Sequence, residues 1–121
     1  MNLIERWAQS LDLGPVSNNR RFAVTFDQVR LHVVEIYPGQ VAIEARICDL
    51  PTPATVRDRT IERMLKIALG RARASANHVM VDEDQSAFWL QHRLPAGSDL
   101  AELELAVERL INDIDLWRQA L

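Results

Sequence analysis

Apolar residues recur at helical spacing from the start of the chain. Leu3, Ile4, Trp7, Ala8 and Leu11 share one face, and "LGP" at Leu13 to Pro15 supplies a glycine stop followed by a helix-incompatible proline. A first helix is expected there. Past the polar "SNNR" the period changes to two. Phe22, Val24 and Phe26 alternate with Ala23, Thr25 and Asp27, then Val29, Leu31 and Val33 alternate with Arg30 and His32 as far as Tyr37. This predicts two strands joined near Asp27 and Gln28. "YPGQ" reads as a type II turn, with proline fixing φ at about −65° and glycine taking the positive φ. In the third strand Val41, Ile43, Ala45 and Ile47 face one way and Gln40, Glu44 and Arg46 the other, until "LPTP" ends the ladder because neither proline can donate.

From about residue 55 to 74 the helical period returns. Ile61, Met64, Leu65, Ala68 and Ala72 form one stripe, and Ile67 and Leu69 widen it beyond what one sheet can cover. Such a helix buries two faces: Ile61, Leu65 and Ala68 on the sheet, with Met64, Ile67 and Arg71 toward a partner. Short apolar runs at 78–81 and 87–94 predict a second hairpin. "LPAGS" then leads to a last helix opening at Ser98 or Asp99 as N-cap. Leu100, Leu103, Val107, Leu110, Ile114, Trp117 and Leu121 would also suit a coiled-coil seam, but little more than three heptads favours packing on the chain's own sheet. The layout is αβββαββα, an α+β fold with a twisted antiparallel sheet packed by helices, and positions 1–121 read as one domain.

Bulk properties change this picture little. A chain of 121 residues with 48% apolar and 26% charged residues can bury a core without staples, and no run is apolar enough to span a membrane. The first residues, "MNLIERWAQSLDL", lack the basic start and small-residue cleavage site of a secretory signal and belong to the fold. The single Cys48 lies in an alternating apolar segment, as an inert thiol of a reducing cytosol does. The net charge is −3, and the Lys and Arg are scattered without the basic stripe a phosphate backbone requires. The cluster of Arg63, Lys66, Arg71 and Arg73 suits the C-terminal end of a helix.

The stretch "HVMVDEDQSAFWLQHRLP" sets three acids between two histidines. If "EDQS" connects the strands, His78 lies about 13 Å from Asp82 at roughly 3.3 Å per residue, and His92 falls near Asn77 and His78 at the far end. Histidines and acids cannot share an ion, so no metal is expected. There is no phosphate loop, no G-x-S-x-G and no H-E-x-x-H. His32, Glu35 and Glu44 remain as catalytic candidates, the two glutamates forming a pair only if the second and third strands bring them together. Neither catalysis nor a cofactor has a positive signal.

Read in order, the "MLKIAL" helix at 64–69, the strand at 78–81, the acidic turn at 82–84, the "RLP" of Arg93 to Pro95 and the final helix with its late Trp117 resemble the C-terminal half of the class I type III secretion chaperones, the Tir-chaperone (CesT-like) family. The front half agrees through its helix, three strands and the "LP" before the second helix. One departure is "RARASAN", where many members carry a glycine pair before the fourth strand. The resemblance implies a small acidic homodimer of the bacterial cytoplasm without enzymatic activity. It would bind the N-terminal chaperone-binding segment of a secreted effector as an extended chain, with the secretion ATPase as a further partner and no nucleic acid or membrane. On this chain the effector site is expected at Leu3, Ile4, Trp7, Leu11, Phe22, Val24 and Phe26. Trp7 is either an anchor of its helix in the core or an anchor for the partner. The dimer surface is expected at Ile61, Met64, Leu65, Ile67, Ala68 and Arg71, with Met80 and Trp89 contributing. Two other readings stay open: a same-fold regulatory domain without a secretion role, and a small enzyme acting at His32, Glu35 or Glu44.

Overall fold

A computed structural model describes residues 2–14, 16, 18, 20–73 and 77–120. The expected helix stop at Pro15, the expected second-helix end at Ala74, the Ala74 to Ala76 part of "RARASAN" and Leu121 lie outside the described residues.

Helix α1 (Leu3–Ser10) opens on a capping box. Asn2 Oδ1 accepts from the Glu5 amide at 2.9 Å, and the Glu5 carboxylate accepts from the Asn2 amide at 3.3 Å, so two otherwise orphaned donors are satisfied. The helix ends before the expected glycine stop: Leu11 takes the C-cap, Asp12 turns to φ 61° and Gly14 to φ 75°.

Strands β1 (Arg21–Phe26) and β2 (Val29–Tyr37) are joined by Asp27 and Gln28, both at positive φ, as a two-residue hairpin requires. Gly39, at φ 80°, turns β2 into β3 (Gln40–Asp49) through the expected "YPGQ" turn. Helix α2 (Ala54–Arg71) follows, then β4 (His78–Val81), β5 (Ala87–Arg93) and α3 (Leu100–Ala120). Asp99 caps α3, accepting from the Glu102 amide at 2.8 Å.

The five strands form one antiparallel sheet in the order β1-β2-β3-β5-β4, the expected αβββαββα fold. One face is the core. Leu31, Ala45, Leu90 and Val79 stand in one cross-strand row of it, and Ile4, Trp7, Leu103, Leu110, Ile114 and Trp117 pack into the same cluster. A bulge in β3 between Arg46 and Cys48 frees two carbonyls, and Arg118 of α3 donates to them, to Ile47 at 3.3 Å and Arg46 at 3.1 Å. That contact fastens the end of α3 to the sheet.

Helix α2 is held differently. Of its eighteen residues only Met64 is fully buried. Arg71 pairs with Asp113 of α3, whose other oxygen accepts from Asn77 at 3.0 Å, and Arg63 reaches the Ala120 carbonyl. These bonds turn the row containing Met64, Ile67 and Arg71 toward the chain's own α3. The expected division of faces is therefore corrected: Met64 and Arg71 serve the subunit they belong to, and Leu65, expected on the sheet, is 57% exposed.

Candidate functional site

The acidic hairpin resolves first. Asp82 accepts from the Ser86 and Ala87 amides at 2.8 and 3.0 Å, from the Ser86 hydroxyl at 2.8 Å and from the Trp89 indole at 3.3 Å. Partial desolvation pushes its carboxyl pKa up, but the hydrogen bonds from Ser86, Ala87 and Trp89 outweigh that and hold it well below the usual range. The carboxylate staples the turn in which Gln85 takes φ 54°.

His78 lies opposite Gln91 and shares its face, so His92, the next residue, points to the other face. The two histidines are close in register but separated by the sheet, which removes the two-histidine arrangement. Among the described residues no group of three or more His, Cys, Asp and Glu is placed to hold a metal ion.

The glutamates part in the same way. Glu35 pairs with Val41 on the core side and Glu44 with His32 on the opposite face, where Glu44 accepts from Gln91 at 3.1 Å. The carboxylate pair does not form. Burial, then the fields of Arg21 and Arg30, pull the His32 pKa down. At Cys48 burial, then Asp49, raises the thiol pKa, which suits the inert thiol expected.

Two apolar surfaces remain. At the first, α1 lies on β1: the Trp7 ring meets Phe22 edge-on at 5.7 Å and Phe26 at 6.1 Å. Trp7 and Ile4 are 2% and 1% exposed, so these two of the expected partner-binding residues are core. Trp7 spends its area on fixing α1. Leu3, Leu11, Phe22, Val24 and Phe26 are only half-buried against that core, and of these Phe22, Val24 and Phe26 lie on the core face of the edge strand β1. A small cavity of about 270 Å³ opens beside Leu3, between Glu35, Val41 and Pro95.

The second surface is the outer side of α2, where Leu65 is joined by Leu69 at 81% exposure. Ile61, Ile67 and Ala68 are half-buried beneath it. Met80 and Trp89 face each other across β4 and β5 on the far face of the sheet. Trp89 is already engaged within the chain, with Arg46 over its ring at 5.4 Å and His32 edge-on at 5.5 Å.

Leu105 and Leu116, about half exposed on α3, line a groove of about 610 Å³ with Leu94 and Pro95, and the sequence reading missed them. The available signal was a second apolar line on α3, offset from the Leu103 to Trp117 stripe.

The model of the Tir chaperone protein (CesT) family matches residues 2–118. No curated protein matches the chain. Among solved structures, the fold is similar to a chain of the HopA1–SchA chaperone–effector complex (TM-score 0.71, 16% identity, covering 97% of this chain and 91% of that one). It is also similar to a chain of the complex of the Yersinia pestis type III secretion chaperone SycH with a fragment of YscM2 (0.67, 19%, 95% and 96%). A third is in the Pseudomonas aeruginosa ExoU–SpcU heterodimer from the type III secretion system (0.70, 16%, 98% and 97%). At these identities the likeness is one of fold.

Proposed function

Because the chain belongs to the Tir chaperone protein (CesT) family, we propose that it is a chaperone that binds the N-terminal chaperone-binding segment of a type III secreted effector. The segment is held extended, which keeps it soluble and ready for secretion. The observation that carries this reading is the open β1 edge with a half-buried apolar row, Phe22, Val24 and Phe26, against Trp7 of α1. An unpaired strand edge offers backbone hydrogen bonds to an added strand, and the apolar row offers contacts for its alternate side chains. The work is binding, so no enzymatic turnover and no cofactor belong to it. The protein acts in the bacterial cytoplasm, before delivery of the cargo to the secretion ATPase.

The chaperone works as a homodimer through the outer face of α2, where Leu65 and Leu69 are too exposed to serve the monomer. A two-fold contact presents one patch to itself, and a helix whose inner row is fixed by Arg71 and Asp113 is a firm base for it.

The test is titration of the N-terminal segments of effectors encoded in the same genome. Leu3→Ser with Phe22→Ser should weaken binding by more than about 1.4 kcal/mol, tenfold in affinity, with the circular dichroism of the protein unchanged. Unaltered affinity in a folded variant rejects the site.

A further inference from the structure

The face of the sheet turned away from the helices has a charge pattern that the effector site does not use. Cross-strand pairing places Arg21, Val34, Ala42 and Arg93 in one row on that face, and Ala23, His32, Glu44 and Gln91 in the next. Next to the Leu31 and Ala45 pair along their strands, Arg30 pairs with Thr25 and Arg46 with Trp89, both on this same face. Four arginines thus share this face with the carboxylate of Glu44 and, at its rim, those of Asp49 and of Asp82, which accepts from the Trp89 indole, in a protein whose net charge is −3.

Of these four arginines, only Arg46 has an acidic partner among the described residues. Asp49 is bound to Arg46 at 2.8 Å, Glu44 is bound to the neutral Gln91, and Arg93 donates to Gln91 as well. Arg21 and Arg30 have no acidic partner among the described residues. Burial is the main cause of the lowered His32 pKa, with Arg21, Arg30 and Arg46 adding to it and Glu44 opposing.

We propose that this sheet face is a second interaction surface, one that binds an extended acidic segment of a partner protein. Arg21 and Arg93 are three strands apart, about 14 Å, and the Arg30 row lies four residues along β2, about 13 Å away. Side chains on one face of an extended chain recur about every 7 Å, so roughly six residues laid along β2 bring carboxylates to both rows. Arginine forks suit carboxylates. A nucleic acid is the poorer fit. The Trp89 ring is engaged by Arg46 over its face and by His32 edge-on, so it is not free to stack a base.

The experiment needs no effector, so its failure leaves the chaperone reading standing. A fluorescein-labelled hexaglutamate peptide is titrated with the folded protein at low ionic strength and followed by anisotropy, beside a uridylate oligomer of equal charge. Arg21→Ala with Arg30→Ala should lower hexaglutamate affinity at least about tenfold, and Glu44→Gln should raise it. Arg59→Ala with Arg109→Ala, on the helical side, should change nothing. No binding by the wild type, an equal loss in both arginine pairs, or tighter binding of the uridylate overturns the proposal.

Discussion

Asp82 and Trp7 are the two residues whose roles the sequence left ambiguous, and each is settled by the partners it meets. Asp82 is one of three adjacent acids, and nothing in the string "DEDQS" says which of them turns inward. It accepts four hydrogen bonds as a carboxylate, which protonation would weaken. Its folded pKa lies below the unfolded value, so its contribution is fully present above about pH 4 and is lost as the pH falls through the folded pKa. Denaturation of Asp82→Asn against pH should therefore show a flatter acid limb than the wild type, and equal slopes would mean that the carboxylate does not staple the turn. Trp7 meets Phe22 and Phe26, and with 2% exposure its indole lies beneath the surface that the three residues are expected to share. Trp7→Ala should cost about 3–5 kcal/mol in urea unfolding, as loss of a core aromatic does. A cost near zero would return Trp7 to the binding surface.

At the scale of elements, the strands and turns were legible because their signals are local. A period of two, a positive-φ pair at Asp27 and Gln28, and "YPGQ" each act within a few residues. The rotation of α2 was not legible in this way. Its orientation follows from Arg71 and Asp113, which are 42 residues apart. The only trace in sequence is that Asp113 interrupts the apolar stripe of α3 between Leu110 and Ile114, a charge at a core position that calls for a partner. Arg71→Ala should destabilise the protein by about 3 kcal/mol, because a carboxylate only 7% exposed is left without its cation. Arg71→Met combined with Asp113→Leu should recover most of that loss. If the double variant is no better than the single, the pair is not what fastens α2. The outer row makes a separate prediction: Leu65→Asp with Leu69→Asp should give a monomeric mass by light scattering while circular dichroism is retained. A persistent dimer would move the interface away from α2.

For the whole molecule, the question is which end of the sheet receives the extended segment. β4 is four residues long, whereas β1 offers six beside the apolar surface of α1. Which groups of β1 are free follows from one bond. The Glu35 amide donates to the Arg20 carbonyl at 2.8 Å, so Arg20 and Glu35 form a hydrogen-bonded pair. In an antiparallel ladder such pairs alternate, so Phe22, Val24 and Phe26 turn their backbone groups to β2, and Arg21, Ala23 and Thr25 turn theirs to the open edge. Proline at position 23 therefore removes a donor that only an added strand would use, and proline is tolerated on such an edge. Ala23→Pro should fold as the wild type by circular dichroism yet lose at least about tenfold in affinity for the effector segment. Val24→Pro breaks the ladder to β2 and should cost about 3 kcal/mol or more of stability. Should Ala23→Pro misfold, Thr25→Pro asks the same of the next outward donor. Full affinity in a folded Ala23→Pro or Thr25→Pro protein would mean that the segment is held by apolar contacts alone and adds no strand to β1.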